Sequence, residues 1–158
     1  MIKMSRKLLS VLLIGLISFS SSSPSQASLF GNSADTKRVI ASLKKLAVTE
    51  NKILAKYNSV TGSNYKDDYT TGMALVALLP QVNSYIGKLE ALNPKDPKLA
   101  KAVDLLVQGW NKQAEGMTLL IGAIDQQDYE KLSKGNAALA SGRATLKKAA
   151  SALAPFIK

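Results

Sequence analysis

Neither cysteine nor histidine occurs among the 158 residues. Without cysteine there is no disulfide framework and no thiolate metal site, so the fold must rest on packing. Without histidine the chain lacks the commonest general base, the commonest metal ligand and the usual partner of a serine nucleophile. Ser-His-Asp and Cys-His chemistry are therefore excluded. Aromatic residues make up only 6%, with a single tryptophan, Trp110. No run alternates apolar and polar residues in the manner of a half-buried strand. The acidic residues are also few, 11 against 21 Lys and Arg, for a formal charge of +10.

What is present begins with three segments in a familiar order. Met1 to Lys7 is basic, Leu8 to Phe19 is apolar, and Ser20 to Ala27 is polar with a helix breaker at Pro24. This is the layout of a secretion signal, and the small residues Ser25 and Ala27 predict cleavage before Ser28. The apolar run is shorter than the ~20 residues a transmembrane helix needs. Residues 1–27 are thus expected to be a cleavable signal peptide of bacterial type, with the protein exported to a secreted, periplasmic or cell-wall-associated location. Removing Lys3, Arg6 and Lys7 leaves 18 basic and 11 acidic residues, a charge of +7. That excess favours an anionic envelope polymer or a membrane surface as well as a protein partner.

Residues 28–34 read as a short leader and 35–158 as one helical domain. A first helix, capped by Ser33 or Asp35, carries Val39, Leu43, Leu46, Ile53 and Tyr57 on one stripe and runs to about Asn58. After a break at Gly62, Asp67 or Asp68 caps a second helix with Leu75, Leu79, Val82, Ile86 and Leu89 on its stripe. Pro80, in mid-run, is expected to kink it. Asn93-Pro94-Lys95-Asp96-Pro97 ends that helix and starts a third, which carries Leu99, Val103, Leu106, Trp110, Met117, Ile121 and Ile124. Asp125 is the expected cap of a fourth, with Tyr129, Leu132, Leu139, Leu146, Leu153 and Ile157 facing inward. Short connections make neighbours antiparallel, so the expectation is an all-α, up-down-up-down antiparallel four-helix bundle preceded by a signal peptide. Gly109 and Gly116, and Gly135 and Gly142, share a seven-residue step that suggests close helix approach or tolerated surface positions.

Four polar residues interrupt the apolar stripes: Glu50, Gln113, Asn136 and Arg143. An antiparallel bundle brings helix midpoints into one layer, so Glu50 and Arg143 are expected to pair inside it, with Gln113 satisfying leftover groups. A lone carboxylate without a second acid, a histidine or a metal partner lacks the groups that acid–base chemistry requires. Asp67-Asp68 and Asp125/Asp128 lack calcium-loop spacing and read as helix N-terminal acids. No enzyme activity, cofactor or metal is expected. Tyr57, Tyr65, Tyr69 and Tyr129 gather near one end and form a candidate recognition surface. Nucleic-acid binding is not expected, because no aromatic-basic motif of a known reader is present.

The segment Leu89-Glu-Ala-Leu-Asn-Pro-Lys-Asp-Pro, followed by LVQGWNKQAEGMTLLIGAIDQQDYEKLSKGNAALASGRATL, resembles the second half of small exported bacterial helical-bundle proteins of unknown function. The resemblance implies a location and a fold and carries no catalytic residues. The expected role is that of a non-enzymatic cell-envelope or secreted interaction protein. The alternative is a carrier whose bundle core binds a small apolar or amphipathic ligand.

Overall fold

The computed structural model describes residues 33–157. The expected signal at 1–27 and most of the leader lie outside the described residues. Within them the chain is all-helical: α1 (Ala34–Asn58), α2 (Asp68–Glu90), α3 (Pro97–Gln126) and α4 (Tyr129–Leu153), with short 3-10 turns at Gly62–Asn64 and Ala154–Phe156.

Each α-helix begins on a side-chain cap. Ser33 Oγ accepts from Thr36 N, Asp67 from Thr70 N, and Asp96 from Lys98 N and Leu99 N, with Pro97 in the first turn where its missing N–H costs nothing. The expected cap of α4 is corrected. α3 runs on to Gln126 and closes through Gln127 in the left-handed region, φ 53°. The chain turns there, so the cap falls to Asp128, whose carboxylate accepts from Glu130 N and Lys131 N. Asp125 belongs to the last turn of α3.

α2 passes through Pro80 without a break. Pro80 is exposed, and so is Val76, whose carbonyl loses its helical donor, so water can supply the missing bond. Gln81 Nε2 donates to the neighbouring Ala77 carbonyl.

The buried positions repeat at seven-residue intervals. In α1 they are Thr36, Leu43, Glu50 and Tyr57, with Val39 and Ile53; in α2 they are Thr71, Leu78 and Tyr85, with Leu75, Val82 and Leu89. A strict seven-residue repeat keeps one seam facing the neighbouring helices along the whole length. Named contacts show neighbours running in opposite directions. Arg38 Nη2 donates to Leu92 O at one end of the α1–α2 pair, and Thr71 Oγ1 donates to Val60 O at the other. In the α3–α4 pair, Gly109 lies against Leu146 and Gly116 against Leu139.

Among the described residues the α3–α4 pairing is the most extensive. Its cause is a stripe of small residues, with Ala102, Gly109, Gly116 and Ala123 on α3 facing Gly135, Gly142 and Ala149 on α4, all buried. A Cβ added at Gly116 would stand 3.0 Å from Gly135 O, and one at Gly142 would stand 2.9 Å from Gly109 O. Backbone lies against backbone, which only glycine permits. The seven-residue glycine step thus marks close approach. It also corrects the expected inner face of α4: Gly135, Gly142 and Ala149 hold the core positions, leaving Asn136, Arg143 and Ala150 half-buried beside them and Tyr129 exposed. In α2 the core positions include Leu78 and Tyr85, whereas Leu79 is half-buried.

Two glycine substitutions should therefore move stability in opposite directions. Gly142→Ala gains helix propensity but drives a methyl into the α3 backbone, and should destabilise by roughly 1–3 kcal/mol. Gly87→Ala, where nothing lies within 4 Å of the added Cβ, should stabilise by about 0.5–1 kcal/mol. Urea unfolding of both variants checks the pair.

Candidate functional site

The polar residues of the middle layer are held on three helices, and their surroundings differ sharply. Glu50 occupies a core position of α1 and is 4% exposed. Tyr85 of α2 donates its hydroxyl to Glu50 Oε2 at 3.4 Å, a long bond. The Tyr85 ring packs edge-on against Trp110 of α3, centroids 5.0 Å apart. The Trp110 indole N–H lies close enough to favour the Glu50 carboxylate form, yet it makes no hydrogen bond of ordinary geometry. Burial outweighs both donors and pushes the Glu50 carboxyl up to about 7. Burial also raises the Tyr85 hydroxyl, and the neighbouring Glu50 raises it further.

Gln113 of α3 is fully buried and donates from Nε2 to Leu139 O of α4 at 2.8 Å. It lies over Gly142, where any side chain would collide with its amide. The bond joins one α3 side chain to the α4 backbone at a single position, so it fixes how the two helices slide against each other. Its Oε1 is buried and makes no hydrogen bond.

The expected ion pair does not form. Arg143 makes no salt bridge with Glu50; its electrostatic neighbour is Tyr57, itself raised by burial to about 12. Asp35–Arg38, Asp128–Lys131 and Glu130–Lys134 are ion pairs local to the starts of α1 and α4. The physical reason is the glycine stripe. With Gly142 facing inward, Arg143 is turned to the edge of the core and Glu50 meets Tyr85 instead. Asn136 likewise sits half-buried on that edge.

The tyrosines do not form one surface either. Tyr57 is 1% exposed and belongs to the core. Tyr65 is half-buried and donates its hydroxyl to Asp68 Oδ1 at 2.6 Å. Tyr69, 77% exposed, and Tyr129, 46% exposed, are the two that face solvent. They lie at the same end of the molecule, because the start of α2 meets the end of α3 where Gly72 approaches Ile124. Met73 and Val76, about half exposed, continue the line from Tyr69 along α2. The sequence reading missed both; the signal available was the absence of any charged residue from Tyr69 to Gly87.

Chemically, the layer offers a buried weak acid and amide groups. Among the described residues no group of three or more acidic side chains is placed to hold a metal ion, and no helix is long and apolar enough to cross a membrane. No family model, curated protein or solved structure matches the chain.

The buried acid predicts a definite pH response. The folded state holds the Glu50 proton more tightly than the unfolded chain, whose carboxyl titrates at about 4.5. Stability should therefore fall as pH rises through the window from about 4.5 to 7, by roughly 3 kcal/mol in this group's contribution, and level off above it. Glu50→Gln, which cannot ionise, should flatten that slope. Thermal unfolding of both forms across pH 4–8 measures it.

Proposed function

We propose that the protein is an exported, non-enzymatic interaction module, an up-down-up-down four-helix bundle that binds a protein partner through the outer face of α2. Export rests on the basic, apolar and polar segments of residues 1–27, and the bundle reading on the opposite order of contacts along neighbouring helices. The observation that carries the binding reading is the exposed line of Tyr69, Met73 and Val76, at steps of four and three residues on one helix face, with Tyr129 at the same end. Pro80 extends it, also exposed.

Single exposed apolar residues need no explanation, whereas an aligned, uncharged set on one face is the composition of an interface centre. Tyrosine and methionine suit that place, the first by burying area while keeping a polar tip, the second by adapting to the opposing surface. The carrier reading has less support, because Tyr85 and Trp110 fill the space around Glu50 with ring-on-ring contact.

A photo-crosslinking side chain at position 73, in cells that make the protein naturally, should give a discrete protein adduct. The same group at Lys95, at the opposite end, should not. Tyr69→Lys should abolish the adduct without changing the circular dichroism. Equal labelling from positions 73 and 95, or no adduct from either, would contradict the reading.

A further inference from the structure

We infer that the partner of the α2 outer face is a second copy of this chain, the two α2 helices packing antiparallel about a two-fold axis at the level of Leu78. This rests on the reading of that face as a protein-binding surface and names what covers it.

The inner side of α2 buries Thr71, Leu75, Leu78, Val82, Tyr85 and Leu89, at alternating steps of four and three residues. A second row on the same helix keeps that period, displaced by two positions: Tyr69, Met73, Val76, Pro80, Asn83 and Gly87, all exposed. Alternating steps of four and three hold a continuous line of side chains against a neighbouring helix. The inner row serves α2's packing within the molecule. The outer row, about 27 Å long, has the same period and is open to a further helix. From Tyr69 to Gly87 no residue is charged. Two equally basic copies can therefore meet here without setting lysine against lysine.

The order of side chains along the row selects a second copy over an unrelated helix. Its bulkiest members stand in the first half and its smallest in the second. An axis at Leu78 sets Tyr69 against Gly87 of the second copy, Met73 against Asn83, and Val76 against Pro80. Large thus meets small at both ends of the contact. Nothing lies within 4 Å of a Cβ added at Gly87, so a tyrosine ring has room there. Parallel pairing would set Tyr69 on Tyr69 and Gly87 on Gly87, a bulge at one end and a void at the other. The same axis places Lys66 opposite Glu90, both exposed, so that each end closes on opposite charges. A parallel arrangement would oppose like charges there. The contact is the same surface on both copies, as a closed dimer requires. It is smaller than a standard stable interface, so the dimer should dissociate in roughly the micromolar range.

The test is sedimentation equilibrium of the purified protein over a range of concentrations, with circular dichroism confirming the fold of each variant. A monomer–dimer equilibrium is expected, and Tyr69→Lys should weaken it by about tenfold or more. Lys66→Glu and Glu90→Lys should each weaken it by roughly threefold or more, and the double variant, which restores both pairs with the charges exchanged, should recover it. The chain has no cysteine, so introduced thiols report the register directly. Under mild oxidation a mixture of Met73→Cys and Asn83→Cys should form a disulfide-linked pair, and neither variant alone should. Self-linking of Met73→Cys alone, or a double charge variant weaker than both single ones, would overturn the antiparallel pairing. A monomer at every concentration up to about 1 mM would overturn the inference as a whole. Position 73 then separates the two readings: a crosslink to a different protein in cells leaves the binding face standing with another partner, whereas no crosslink removes the face as well.

Discussion

Where Gly109 faces Gly142 and Gly116 faces Gly135, α3 and α4 approach to a distance that no side chain between them would allow. Each of these glycines costs helix stability, about 1 kcal/mol relative to alanine. What offsets the cost is the packing it permits: Leu139 and Leu146 settle onto the opposing backbone, and Leu120 reaches over Gly135. Dispersion contacts of that density are individually small and collectively large. The seam also decides which α4 residues face inward, and through that choice it sets the surroundings of every polar group in the middle of the molecule.

Glu50 illustrates the consequence. A carboxyl in the core with a buried cation beside it would be held ionised at neutral pH. Here its neighbours are a phenol and an indole, donors too weak to cancel the loss of water, so its acidity is reduced. Gln113 plays the complementary part on the other side of α3. Its amide bridges to the α4 backbone at the point where the glycines bring it within reach, and a longer separation would leave that donor stranded. One constraint thus produces a buried weak acid on one flank and a pinned helix register on the other.

Much of this was legible in the sequence. The four helices, the cap at Asp96, the caps at Ser33 and Asp67 as one of two candidates each, and most of the α1 and α3 stripes follow from apolar period and cap chemistry. The α4 face did not, because glycine contributes nothing to a hydrophobic pattern. A reading built on large apolar residues assigned its gaps to Asn136 and Arg143, when the core positions were the glycines beside them. Tyr85 was passed over for a similar reason, since its hydroxyl makes it read as a surface residue until Glu50 is seen across from it. The apolar outer face of α2 was hidden by its apolar inner face: a helix uncharged from Tyr69 to Gly87 shows no contrast between the side that packs and the side that does not.

The α3–α4 pair packs most closely, and α1 lies less closely against its neighbours along its length. Native-state hydrogen exchange tests this most directly, because it reports the free energy of opening for each segment separately. Amides flanking the seam, around Gly109, Gly116, Gly135 and Gly142, should exchange only through global unfolding and be the slowest in the protein. Those of α1 should open at a lower free energy. Slowest exchange in α1, or fast exchange at the four glycines under conditions where α1 remains protected, would contradict the central role given to the seam.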